Sequence, residues 1–277
     1  MTRYVNPVPP HDAIVSYYND ESVNRIIQDI YRKRSENAGN WIVDDKVAFI
    51  ADMIPRQEAV FRVLEVGCNS GWFLSGLRHV LSERGYAESA VELTGIDIDA
   101  EAIVNRVDAE VVLINASAEE FFGSVGNRYD LIVHFELIEH LADPSTFCLQ
   151  CRKALAPGGA MAFTCPNILG LEMLVGYNQP RLLAHAIFPP VHLTGFSLHN
   201  ITHFLLRQGF AVERVETPGK LDVEMAHLSR GEESPDILGF VSGLTHEQRG
   251  GLQRLISGLR ASSHMAVVAR NPEQQAG

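Results

Sequence analysis

From Phe61 onward, short apolar runs alternate with stretches whose apolar residues recur at helical spacing. FRVLEVG, VELTGIDID, EVVLINAS and YDLIVHFE read as four strands, rich in Val, Ile and Leu as parallel strands buried on both faces are. Trp72, Phe73, Leu74, Leu77 and Val80 mark a helix after the first strand, and AEAIVNRV reads as a helix after the second. PSTFCLQCRKALA predicts a further helix, stopped by Pro157-Gly158-Gly159 and followed by strand AMAFTCPN. In SLHNITHFLLRQGF, Ser197 is the expected N-cap and Gly209 the expected stop. FAVERVETP and HMAVVARNP close the series as strands. This alternation predicts an α/β fold, a mainly parallel sheet with helices on both faces.

Three segments break the pattern. In residues 1–40, Val23, Ile26, Ile27, Ile30 and Tyr31 recur at helical spacing, which predicts a helical leader or cap. Residues 41–277 then form the main domain. Within it, 168–195 is long and apolar and lacks a strand pattern, so an inserted helical lid is expected. A second insertion, 219–263, separates the last two strands and is expected to carry a helix near Glu247 to Leu259.

Composition narrows the partners. Of 277 residues, 46% are hydrophobic and 21% charged, enough for a folded domain with a core. The net charge of −11, with Arg and Lys scattered, argues against nucleic acid as a partner. No apolar run is long enough to span a bilayer, and MTRYVNPVPPHDA has no secretory apolar core, so the expected compartment is the cytoplasm. Cys148 and Cys151 form one CxxC, but no second ligand pair stands at a zinc spacing, so helix packing is the expectation there.

The chemistry starts at VLEVGCNSGWF, Val63 to Phe73. Gly67 lets the chain turn sharply, and the helix beyond Gly71 presents N–H groups to an anionic ligand. The spacing is G-x-x-x-G, not the G-x-G-x-x-G of a dinucleotide turn. Asp97, at the carboxyl end of the second strand, can accept hydrogen bonds from both hydroxyls of a ribose. It could equally cap the next helix, and Asp99 is available for that task.

Together, VLEVGCNSGWF, LTGIDIDAEAI, NASAEEF, YDLIVHFELIEHL and LAPGGAMAFTCPN resemble the class I S-adenosylmethionine-dependent methyltransferases. FELIEHL and VHLTGFSLHNITHFLLRQGF look most like the small-molecule branch that includes the ubiquinone-biosynthesis O-methyltransferases. The resemblance implies a Rossmann-like seven-stranded sheet with an antiparallel last strand, and S-adenosylmethionine across the carboxyl ends of the first four strands. It places Glu65 and the turn Gly67, Cys68, Asn69 and Gly71 under the methionine part, with Asp97 on the ribose and Ile98 on the adenine face. Ser117 stands where the family usually has Asp, so Ser117 or the Ala118 backbone is left to meet the adenine amino group. His134 and Phe135 are expected to border the sulfonium.

Methyl transfer to a hydroxyl needs alignment and removal of a proton, and histidine is the usual base. His192 is the first choice and His134 the second, both candidates for a catalytic role. Glu136, Glu139 and His140 can share one helical face and hold a divalent cation such as Mg beside the acceptor. The expected reaction is methyl transfer to a small-molecule hydroxyl. A nitrogen or carbon acceptor, a non-catalytic cofactor-binding protein and a nicotinamide oxidoreductase stay open as alternatives, and a homodimer is admitted.

Overall fold

The computed structural model describes residues 3–5, 9, 10, 12, 13, 16, 41–124, 126, 128–171, 191–219, 222, 223 and 236–272. A two-stranded antiparallel ribbon pairs β1 (Arg3–Tyr4) with a short strand at Thr194–Gly195. The main sheet contains β2 (Phe61–Val66), β3 (Val91–Asp97), β4 (Val112–Asn115), β5 (Tyr129–Phe135) and β6 (Leu155–Pro166). The ribbon partner is β7 (Thr194–Gly195), and β8 (Ala211–Glu216) and β9 (His264–Arg270) complete the sheet. Its order is β4-β3-β2-β5-β6-β9-β8.

The first four of these strands are parallel, with Phe61 opposite Val91, Thr94 opposite Val112 and Val63 opposite Leu131. Strand β9 runs the other way. Gly158 N–H donates to the Asn271 carbonyl and Asn271 N–H to that of Gly159, whereas Asn167 N–H donates to Ser263. The start of β6 thus meets the end of β9, and its end meets the start of β9, an antiparallel register. Seven strands with an antiparallel last one is the fold the resemblance implied.

The chain divides into two compact units. One comprises Pro10–Phe135, Ser145–Ala162 and Arg270–Gly277; the other comprises Met1–Pro9, Glu136–Pro144 and Phe163–Ala269. In the first, Val63, Leu64, Leu131, Ile132 and Val133 are fully buried, as a sheet covered on both faces requires. Helix α1 (Trp41–Ala51) contributes Val47 and Ile50 to this core. Helix α2 (Trp72–Glu83) buries Phe73, Leu74, Leu77 and Leu81, while Trp72, expected on the apolar face, is 57% exposed. Asp99 caps the short α3 (Ala100–Val104) by accepting from the N–H groups of Glu101 and Ala102. α4 (Ala118–Ser124) and α5 (Pro144–Ala154) follow, and Cys148 and Cys151 are both buried free thiols in α5. The Pro-Gly-Gly after α5 lies inside β6: Gly158 N–H donates to the carbonyl of Asn271, just past β9, Asn271 N–H donates to that of Gly159, and the Arg270 side chain donates to that of Gly158.

In the second unit, α6 (Leu198–Arg207) starts at a capping box of Ser197 and Asn200, and Gly209 just beyond it has φ +83°. The second insertion carries α7 (Asp236–Gly243) and α8 (His246–Gly258), the latter close to the helix expected there. Val223, Val241 and Ile256 form a small core, with Leu171, Leu252 and Ala261 packed on it. In the N-terminal segment Arg3–Tyr4 form a strand, while Asp12, Ala13 and Ser16 are helical. The strand's backbone groups pair with Thr194 and Gly195, and Val5 N–H donates to the Leu193 carbonyl. The remainder of the expected leader, 17–40, and residues 172–190 of the expected lid lie outside the described residues. No helix among the described residues is long and apolar enough to cross a membrane.

One close approach locks the first unit's carboxyl edge. A Cβ on Gly95 would stand 2.7 Å from Cys68 Sγ and 2.8 Å from Leu113 Cδ2. Gly95→Ala is therefore expected to cost about 2 kcal/mol, the usual scale of core overpacking. Urea unfolding of the two proteins checks it; equal midpoints would refute it.

Candidate functional site

At the carboxyl end of β2 the chain turns through Gly67 (φ +77°), Asn69 (φ +49°) and Gly71 (φ +83°). The N–H groups of Gly67 and Cys68 both donate to the Ile96 carbonyl, which joins the turn to β3. Asp97 ties the next residue: its Oδ2 accepts from Asn69 N–H at 2.7 Å and its Oδ1 from Asp99 N–H at 2.9 Å. Each oxygen retains acceptor capacity for a hydroxyl. Burial pushes the Asp97 carboxyl up, and these two N–H groups oppose that shift. Helix α2 begins at Gly71 without a side-chain cap, so its first N–H groups face the turn uncovered by a side chain.

Glu65 sits beneath the turn, 4% exposed, with Oε2 buried and lacking a hydrogen-bond partner. Burial holds its carboxyl well above the usual range; Lys46 pulls it down and Asp97 pushes it up. A buried acceptor of this kind is costly until a donor reaches it. A ligand ammonium meets that need, so the residues present fit the methionine end of S-adenosylmethionine. Ile98, next to Asp97, is 63% exposed, an apolar surface suited to the face of a base.

Ser117 is occupied locally. Its N–H and Oγ both donate to Glu120 Oε2, and Oγ accepts from Glu120 N–H, the reciprocal arrangement of a capping box at the start of α4. Ala118, the first residue of α4, is half-buried. Phe135 is half-buried, its ring 4.7 Å from that of Phe73 and under the Lys46 ammonium at 4.7 Å. His134 points the other way along the strand's alternation, fully buried and edge-on to Phe147 at 5.3 Å.

The second unit holds a different cluster. Glu139, His140 and His192 each offer one ligand atom, all within 4.8 Å of one another. The turn Ile138–His140 and the segment Val191–Leu193 are stitched together: Leu193 N–H donates to the Glu139 carbonyl, and His140 Nδ1 lies 2.9 Å from the Val191 carbonyl. The rings of His140 and His192 meet edge-to-face at 4.7 Å. Burial, and then the neighbouring His192, lower His140 to about 4, so at neutral pH it is an uncharged imidazole able to ligate a cation.

Glu136 is not among the three groups within 4.8 Å of one another, though its charge is felt at His140. It adopts φ +52°, and its Oε1 accepts from Thr164 Oγ at 2.7 Å while Oε2 faces His264 Nε2 at 3.4 Å. The helical face expected for Glu136, Glu139 and His140 fails because Glu136 is left-handed and only Ile138–His140 forms a single tight turn. His192 takes the third place instead. Sequence reading also missed Lys46, Thr164 and His264, which no local motif marks and which reach their positions through separate elements.

Residues 34–215 match the family model described as Methyltransferase domain, well over half of the chain. A Ubiquinone biosynthesis O-methyltransferase of Aromatoleum aromaticum is 32% identical over 112 residues, covering 38% of this chain and 44% of that protein. The enzyme of the same description from Alkalilimnicola ehrlichii is 32% identical over 129 residues, covering 41% and 49%. The chain thus spans less than half the length of these curated relatives. Among solved structures, a SAM-dependent methyltransferase from Archaeoglobus fulgidus superposes with TM-score 0.54 at 18% identity, covering 87% of this chain and 99% of that one. A SAM-dependent methyltransferase from Thermotoga maritima gives 0.57 at 13%, covering 89% and 96%, and at such identities the likeness is one of fold. Strand order, the turn over Glu65 and the family match agree: the chain belongs to the class I S-adenosylmethionine-dependent methyltransferase family.

Proposed function

We propose that the protein transfers a methyl group from S-adenosylmethionine to a hydroxyl of a small molecule. The observation that carries the oxygen acceptor is the Glu139, His140 and His192 cluster, a carboxylate and two imidazoles gathered within 4.8 Å. The descriptions of the curated relatives as O-methyltransferases support it. When bound, S-adenosylmethionine supplies an electrophilic methyl group. Glu65 would hold its ammonium, Asp97 its ribose hydroxyls and Ile98 its adenine face. Lys46 keeps positive charge over Phe135 and lowers Glu65 toward its ionised form. His134, closed off beside Phe147, has no acceptor-facing part in this reading.

Glu139, His140 and His192 would hold a divalent cation such as Mg, which would supply Lewis acidity toward an acceptor hydroxyl. A carboxylate plus two imidazoles also suits transition metals, so the cation is chosen by assay rather than by ligand type.

Calorimetry with S-adenosylhomocysteine and with NAD tests the donor; binding of NAD without S-adenosylhomocysteine would sink the reading. Incubating the protein with isotopically labelled S-adenosylmethionine and a panel of phenols, catechols, amines and carbon acids tests the acceptor. Methyl ethers are the expected products, and products methylated only at nitrogen or carbon refute the hydroxyl. Glu139→Gln is expected to lower the cation-stimulated part of the rate at least ~10-fold. A rate unaffected by chelation would remove the cation.

A further inference from the structure

Helix α6, LHNITHFLLR, turns its apolar side inward through Ile201 and Leu205, four residues apart and both fully buried. Two positions earlier in each turn, on the far side of the helix, stand His199 and His203, both exposed. Their rings meet edge-to-face with centres 4.7 Å apart. Among the described residues, no hydrogen bond or ion pair engages either ring. The backbone beneath them is fixed at both ends, by the capping box of Ser197 and Asn200 and by Gly209 at φ +83°.

We propose that His199 and His203 form a surface site for a divalent transition-metal ion of the zinc, nickel or copper class. The site is separate from the Glu139, His140 and His192 cluster and independent of the methyl-transfer reading. Residues four apart on a helix stand one above the other, the spacing at which two imidazoles reach a single ion. A nitrogen–metal bond of about 2.1 Å on each side sets the two ring centres roughly 5 Å apart, close to the 4.7 Å found. The pair is therefore arranged for an ion before one arrives.

Ligand type selects the ion. Imidazole nitrogen suits zinc, nickel and copper, whereas magnesium and calcium take oxygen ligands. The neighbouring Thr202 hydroxyl adds no oxygen, because it donates to the Leu198 carbonyl at 3.0 Å. Asn200 stands where a hydrolytic zinc helix has glutamate, and its side chain serves the capping box, so the site binds without cleaving. Two electrostatic effects oppose each other. The net charge of −11 draws cations to the chain, while the positive end of the α6 dipole repels them from the first turn. Both act on any divalent ion alike and leave the order of preference unchanged.

Exposure separates this site from the cluster. The Glu139 and His140 side chains are 3% and 21% exposed, and His192 is 9% exposed as a residue. A metal held on a solid support cannot enter among them, but it can meet the outer side of α6. The test passes the untagged full chain over immobilised nickel. The wild-type protein is expected to be retained and released by imidazole. His199→Ala and His203→Ala, which remove exposed side chains, should each reduce the affinity for the support ~10-fold or more, because one ring alone loses the second, intramolecular contact. Glu139→Gln should be retained like the wild type, and magnesium in the buffer should release nothing. Failure to retain the wild type overturns the proposal, as does equal retention of the double alanine variant. Loss in one alanine variant only would mark a lone histidine and overturn the pair. Release by magnesium would overturn the assigned class of ion.

Discussion

Asp97→Ala is expected to weaken S-adenosylhomocysteine binding about 100-fold. The substitution removes a carboxylate that would accept two ribose hydroxyls, and hydrogen bonds to a charged group contribute about 1.5–3 kcal/mol each. It also releases Asn69, whose N–H is held by Asp97 Oδ2 at 2.7 Å while the residue sits at φ +49°. Asn69 in turn accepts from the N–H and Oγ of Ser70, so the turn over Glu65 loosens as a unit. Asp97→Asn keeps one acceptor oxygen, and an intermediate loss is expected for it. Calorimetry of the three proteins checks this. Equal affinities for wild type and Asp97→Ala would remove Asp97 from the ligand's path and leave it a link between β3 and the glycine turn.

Asp222→Ala is expected to be the most destabilising single change in the second unit, by about 3–5 kcal/mol. Asp222 is 4% exposed and gathers several donors. Its Oδ2 accepts from Gln253 Nε2 at 2.7 Å and Ser262 Oγ at 2.6 Å, and its Oδ1 from Ser263 N–H at 2.5 Å. Gln253 also donates to the Gly219 carbonyl, and the Val223 N–H donates to Gln253 Oε1. One carboxylate thus fastens the start of the insertion, helix α8 and the entry to β9. Alanine would strand those donors in a buried site.

The same residue sets an acid sensitivity. Burial alone would raise the Asp222 carboxyl, but the hydrogen bonds from Ser262, Gln253 and Ser263 bring it below its ordinary value of 3.8. A folded-state value depressed in this way stabilises the protein above the unfolded carboxylate range. That contribution is lost as pH falls from about 3.8 through the lower folded value. Thermal melts of wild type and Asp222→Asn should therefore converge in strong acid and diverge above it. Parallel curves throughout would show that the charge on Asp222 does not matter.

Much of the architecture was written locally. The density of Val, Ile and Leu in FRVLEVG and YDLIVHFE, the cap at Ser197 and the glycine stop at Gly209 each act over a few residues. The Pro157-Gly158-Gly159 stretch was misread for a physical reason. As a local signal it ends a helix, yet pairing with Asn271, more than a hundred residues away, makes it part of β6. Ser117 is similar: the sequence places it at the strand end, but Glu120 three residues on engages its hydroxyl.

By itself the sequence determined the order of strands and helices, the glycine turn over Glu65, and Asp97 at the end of β3. All of these depend on backbone freedom, short-range periodicity and the sign of a nearby charge. Only the tertiary structure decided which acidic and imidazole groups meet. It set His192 against Glu139 and His140, and turned Glu136 away to Thr164 and His264. Those partners come from separate elements, and the antiparallel return of β9 brings His264 to the edge where β6 ends. Spacing along the chain carries no record of such meetings, because the register between distant strands is set by packing of the whole sheet.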